Sequence, residues 1–202
     1  MNKKAIILIL FVIFEIYSIA QTFEGKITYW GVYGSHNVER YFFIQGDKYR
    51  SEMNLNNLEL PVYILYNGSF CYYISDIYQN ISKDTSNINA RYKIRKTKKE
   101  ETILGYKCSV YRSIRNTDFG KDTLLLYVAD SLKTGIDEQT GISYSGKIIL
   151  KQVQLKNGKK YVSQAVEIKK EQFSDELFEL PDYPVEEVDM RKMAGKYSFK
   201  TD

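Results

Sequence analysis

Apolar and polar residues alternate from the start of TFEGKITYWGVY: Phe23, Ile27, Tyr29 and Tyr33 fall on one side, Glu24, Lys26 and Thr28 on the other. A period of two is that of a half-buried strand. After a break at Gly34-Ser35-His36-Asn37, VERYFFIQ resumes the extended pattern, so the two runs read as a hairpin. Gly46-Asp47 marks a second turn, before KYRSEMN. Asn67-Gly68 separates LPVYILYN from SFCYYISDIYQNI, as a type I′ hairpin turn would. Further on, Asp84 to Asn89 reads as a polar loop and RYKIRKTK as another alternating run. Leu104-Gly105 then leads into YKCSVYRSIR. The unbroken apolar centre of TLLLYVAD predicts a strand covered on both sides. A second Asn-Gly pair, Asn157-Gly158, lies between GKIILKQVQL and KKYVSQAVEIKK and predicts another hairpin.

Two stretches break this rhythm. Ser131 to Gly146 is irregular and reads as a flap or a crossover; near the end, Ser174 or Asp175 is placed to cap one helical turn before Pro181. The remainder predicts about ten strands in sequential antiparallel pairing, without a long amphipathic helix or a fixed-period repeat. A sheet of this kind must cover its apolar face by curling into a barrel or half-barrel, or by folding into a sandwich. Composition agrees: eighteen Tyr, ten Phe and one Trp against three Pro favour strands.

The opening MNKKAIILILFVIFEIYSIAQ has a pattern of its own. Lys3 and Lys4 precede an apolar run, Ala5 to Phe14, and Ser18-Ile19-Ala20 supplies small residues at the positions an export peptidase reads. The run is too short for a membrane span, so residues 1–20 are expected to be a cleaved signal peptide. The mature chain would begin at Gln21, with no cysteine there for lipidation. Residues 21–202 then form a single β-rich domain with a frayed tail from about 186, located in the periplasm or secreted, with no transmembrane span. Cleavage removes Lys3, Lys4 and Glu15, so the formal charge falls from +4 to +3, too little to indicate nucleic acid.

Candidate chemistry is sparse. His36 is the single histidine, and neither cysteine lies in a nucleophile motif, so no catalytic residue is assigned. One His and two distant Cys do not make a metal set, and no phosphate loop, haem or zinc motif is present, so no metal and no cofactor is expected. Cys71 and Cys108 are the only candidates for a disulfide, which an oxidising compartment would permit. If the runs from Phe70, Arg91 and Tyr106 form a meander, however, the two cysteines lie on strands separated by a third. That spacing is roughly 9–10 Å, against a limit of about 7 Å for bridged Cα atoms. Cys108 shares its strand face with Tyr106 and Val110, while Lys107, Ser109 and Ser113 point away, so it reads as a buried small hydrophobe.

Arg91, Lys93 and Arg95 would lie along one strand face, where they suit anionic headgroups, an acidic partner, or the protection of an exposed sheet edge. Tyr29, Tyr63, Tyr73 and Tyr161 read as ordinary sheet residues, and Trp30, opposite Tyr29, as an exposed one. No ligand-binding residue is assigned from the sequence.

Several short motifs carry a resemblance. Phe23-x-Gly25-x-Ile27-x-Tyr29, the strand pair around Gln45 to Arg50, Ile103-Leu104-Gly105-Tyr106-Lys107-Cys108 and the late ELFELPDY together resemble secreted families near the GLPGLI family. Those families are related to the lipoprotein-localisation-factor (LolA/LolB-like) superfamily. The resemblance implies a mainly β fold with few short helices: a curved antiparallel sheet forming an open or half barrel, its concave face covered by helices or a loop. In the superfamily such a concavity shelters acyl chains. The GLPGLI signature itself is absent, and a strand stands where a covering helix would be expected. The resemblance thus implies a non-enzymatic, exported cell-envelope binding module with a concave apolar face for a lipid-like or other hydrophobic ligand. The alternative is a structural or protein-interaction domain, its core filled by its own side chains, that docks an envelope protein partner.

Overall fold

The computed structural model describes residues 22–189 except 34–35, 57, 86–93, 118–119, 137–140 and 157. The expected signal peptide lies outside the described residues, as do Arg91 and Lys93. The chain is mostly β: one large curved antiparallel sheet that does not close into a barrel. Its first half runs through β1 (Gly25–Tyr33), β2 (His36–Gln45), β3 (Lys48–Leu55), β4 (Leu58–Glu59), β5 (Val62–Asn67), β6 (Cys71–Ser75) and β7 (Asn80–Asp84). The second half runs through β8 (Arg95–Ile103), β9 (Tyr106–Thr117), β10 (Gly120–Lys133), β11 (Ser143–Tyr144), β12 (Lys147–Lys156), β13 (Lys159–Lys169) and β14 (Val185–Val188). Among the described residues the one helical element is a 3-10 turn, Asp175–Phe178, capped by the Ser174 side chain as its sequence predicts.

Strand order is β14-β7-β6-β5-β3-β2-β1-β13-β12-β10-β9-β8. Purely sequential pairing therefore does not hold throughout. β7 does not pair with β8; instead β13 returns to β1 in antiparallel register, from Lys26 opposite Lys169 to Val32 opposite Val162. Two meanders are thus spliced into one sheet, and β14 adds a parallel strand on the edge formed by β7. The residues expected to begin a frayed tail, from 186, form most of β14 up to Val188, and residues 190–202 lie outside the described ones.

The turns follow local chemistry with one correction. Asn67 is not a central turn residue but the last residue of β5: Gly68 and Ser69 make the turn, with Gly68 at φ +85°. The Asn67 carboxamide oxygen accepts hydrogen bonds from the backbone N–H groups of Ser69 and Phe70 (3.3 and 3.1 Å). A single positive φ at the first central residue fits the II′ pattern, not I′. At the other Asn-Gly pair, Lys156 faces Lys159 across the predicted two-residue connection.

The main core joins both meanders. Ile27, Tyr29, Phe42 and Ile44 from the first pack with Cys108, Ala129, Ile148 and Leu150 from the second. Each such fully buried aliphatic side chain contributes about 1.5–3 kcal/mol. The stretch read as a flap belongs to this core: Leu132, Ile136 and Ile142 are almost completely buried in it. Hydrogen bonds from Thr134 N to Gly146 O (3.0 Å), Ile149 N to Ile142 O (2.8 Å) and Ser143 Oγ to Ile136 O (2.9 Å) fasten it. Beyond the end of β10, its described residues pack onto the sheet as a plug, which takes Ile136 and Ile142 out of water.

Candidate functional site

The plug leaves the β8–β10 end of that same face open. β9 places Tyr106, Cys108, Val110, Arg112 and Ile114 on one face by strict alternation. Cys108 lies in the closed core, opposite Ala129. Farther along the strand, Val110 faces Tyr127, Arg112 faces Leu125 and Ile114 faces Thr123. These three pairs floor a groove of about 810 Å³ whose wall is Arg95 to Lys99 of β8. Ile114 is half exposed there, whereas Val110 is buried.

An ion pair marks the boundary between core and groove. Lys151 of β12 reaches Glu101 of β8 at 2.8 Å, with its ammonium 4.8 Å above the centroid of the Tyr127 ring. On a flat sheet β12 and β8 would stand three strand spacings apart, about 14 Å. The contact requires the sheet to curl towards this face, which is therefore concave.

The basic wall is built by an irregularity. β8 pairs with β9 in register from Ile103 opposite Tyr106 to Glu100 opposite Ser109, then shifts so that Lys96 faces Tyr111 and Arg95 faces Arg112. Within the shift the Thr97 hydroxyl donates to the Val110 carbonyl (2.8 Å), and the Lys99 N–H donates to Thr97 Oγ1 (3.1 Å). Extra residues of this kind re-aim side chains at strand edges. The outcome is five cations, Arg95, Lys96, Lys98, Lys99 and Arg112, around an apolar floor. None forms an ion pair with a carboxylate of the described residues; the nearby acids are engaged elsewhere, Glu100 with Lys107 (2.9 Å) and Glu101 with Lys151.

The residues singled out from the sequence separate widely. His36 opens β2, exposed, with its Nδ1 3.0 Å from the Asn56 amide nitrogen, while both cysteines are buried free thiols. Cys71 and Cys108 are not one strand apart as a meander would have them: seven strands of the sheet order intervene. The curl nonetheless brings both into the main core. Burial, followed by the Asp130 carboxylate, pushes the Cys108 thiol up to about 11, and burial also raises Cys71. Both are thus poor nucleophiles. Burial also raises the Tyr29 phenol, whose hydroxyl donates to the Ile149 carbonyl at 2.6 Å. Tyr63 is buried, Tyr73 and Tyr161 are partly so, and Trp30 is 48% exposed.

Ser109 and Ser113 do point away from Cys108, but into a second buried layer and not into water. Leu126, Val128 and Ile149 form that layer with Tyr111 and Tyr144, so β10 is covered on both sides as its apolar centre predicts. Ser109 Oγ donates to Asp130 Oδ1 at 2.9 Å. Arg95 belongs to β8, the sheet edge, in keeping with edge protection. Arg112 lies one strand inward, where that explanation does not reach. Among the described residues, no group of three or more His, Cys, Asp or Glu could hold a metal ion. Nor is any helix there long and apolar enough to cross a membrane.

No protein-family model matches the chain, and no curated protein matches it in sequence. Solved structures do. PNGF-II is similar at 18% identity and TM-score 0.53, over 84% of this chain and 32% of that one. The present chain thus spans about a third of PNGF-II's length. An uncharacterised conserved protein from Thermus thermophilus is similar at 14% identity and TM-score 0.51, over 81% of this chain and 89% of the other. LprF from Mycobacterium bovis follows at 7% identity and TM-score 0.36, covering 78% and 90%. At these identities the first two likenesses concern the fold alone.

Proposed function

We propose that this chain is a non-enzymatic, exported cell-envelope binding module, periplasmic or secreted, that takes a lipid-like or other hydrophobic ligand in the groove over β9 and β10. The observation that carries the reading is the open half of the concave face: about 810 Å³ above Val110, Ile114, Leu125 and Tyr127. Small-molecule sites commonly have this size and an apolar floor. Apolar ligand surface buried there would contribute about 25 cal/mol per Å² before the costs of association. On this reading the short motifs shared with secreted families near the GLPGLI family mark a distant LolA/LolB-like relative, and catalysis and cofactors have no part.

One observation favours a second reading. Part of the concave face is filled by the protein's own side chains, Ile136 and Ile142 among them, as a structural or protein-interaction domain would have it. Native mass spectrometry of protein purified without detergent, together with melting curves in fatty acids and phospholipids, separates the two. A co-purifying lipid, or a melting temperature raised by such compounds and no longer raised in Leu125→Glu, supports the binding module. Neither mass adduct nor thermal shift with any of them supports the interaction domain.

A further inference from the structure

Every wall residue of the groove from Arg95 to Lys99 except Thr97 is cationic, while the floor, apart from Arg112 and Thr123, is aliphatic and aromatic. Arg95 and Arg112 stand directly opposite each other on neighbouring strands, and Arg112 in turn stands opposite Leu125. Like charges in directly opposed positions destabilise a sheet. Neither guanidinium has a carboxylate partner among the described residues, although Lys107, Lys151 and Lys83 each have one. The register thus sets two arginines opposite each other at the end of an apolar row, and guanidinium forks suit carboxylate or phosphate oxygens.

We propose, resting on the binding reading above, that the ligand is an anionic amphiphile: a single carboxylate or phosphate monoester held between Arg95 and Arg112, its hydrocarbon tail lying on Leu125, Val110, Ile114 and Tyr127. Charge complementarity selects this occupant. A neutral tail would leave the guanidinium pair without a counter-charge, and a cationic one would add a third like charge. The Lys151–Glu101 pair sets the inner limit of the tail, and the Thr97 bulge holds the wall that supplies the charge.

Isothermal titration of the full mature chain with four probes of equal tail length, kept below micelle-forming concentrations, tests this. The probes are dodecanoate, dodecyl phosphate, dodecanol and dodecyltrimethylammonium. Dodecanoate, dodecyl phosphate or both should bind at least about tenfold more tightly than dodecanol, the scale of a hydrogen bond to a charged group, and the cation more weakly still. Added salt should narrow that gap. The stronger of the two anions then distinguishes a fatty acid from a lipid phosphate as the natural source. In Arg95→Gln/Arg112→Gln the ratio of anion to alcohol affinity should fall to within about twofold, with circular dichroism verifying the fold. Should that variant misfold, the salt dependence of the unaltered chain decides the same point. Equal affinity for dodecanol and both anions overturns the proposal and leaves a binding module without headgroup preference; no binding of any probe overturns both readings. Light scattering during the titration should keep one mass, and dissociation of a dimer by the probe would assign the groove to a second copy of the chain and overturn the proposal.

Discussion

Leu104 holds a left-handed backbone (φ +50°) at the tip of the β8–β9 hairpin, next to Gly105 at +82°. Positive φ at both central residues is the I′ pattern, which suits Asn-Gly and not Leu-Gly. The leucine is 46% exposed and gives little packing in return. Leu104→Asn is therefore expected to raise stability by about 1 kcal/mol, read as a higher denaturant midpoint at unchanged slope; an equal or lower midpoint contradicts the turn assignment. The same residue shows why this hairpin was less legible than the one at Asn157-Gly158: Leu carries no turn signal, and only the pairing reveals its conformation. Cys108 makes a second prediction. Its folded-state thiol titrates near 11, above the ordinary value of 9.0, so between those values the unfolded chain loses the proton and the folded chain keeps it. Stability is then intact below pH 9 and declines as pH rises towards 11. Urea midpoints across that range should fall, and the onset near pH 9 should be absent in Cys71→Ala/Cys108→Ala, leaving the later loss from raised tyrosines such as Tyr29 and Tyr49. A midpoint flat from pH 9 to 11 would remove the buried-thiol account.

At the level of elements, β1 and β13 carry the splice between the meanders. Gly25, in the Phe23-x-Gly25-x-Ile27-x-Tyr29 motif, has φ +149°, and a Cβ there would stand 2.0 Å from the Lys169 carbonyl oxygen. Gly25→Ala should cost about 3 kcal/mol, measured by denaturation; a loss below about 0.5 kcal/mol would show that the strands part freely at that point. The bulge in β8 is the second such element. Thr97→Val removes the bond to the Val110 carbonyl and should cost about 1 kcal/mol, with a weaker preference for anionic probes. The sequence marked Arg95 as part of a basic strand face, but it did not pair it with Arg112. A straight ladder counted back from Leu104-Gly105 would set Arg95 against Ile114; the added residues move it to Arg112. Bulges leave no signature in hydrophobic alternation, so of the groove's cations only Arg95 was singled out, and Lys96, Lys98, Lys99 and Arg112 were not.

For the molecule as a whole, alternation and turn chemistry were enough to give a mainly β fold whose sheet must cover its apolar face, and the resemblance implied its curved, unclosed form. They failed where the chain leaves its neighbours, at the β13–β1 pairing and in the Ser131–Gly146 plug, because nothing local in Leu132, Ile136 or Ile142 distinguishes a plug from a flap. The plug divides the concave face into a filled half and an open half, and the functional account depends on the open half being the place of binding. Amide chemical shifts of isotope-labelled protein, followed while dodecanoate is added, test that most directly. Perturbations concentrated at Val110–Ile114, Thr123–Tyr127 and Arg95–Lys99 are the predicted result. Saturable shifts centred instead on the polar depression around Thr22, Ser131 and Lys170, or no saturable shifts at all, would contradict it.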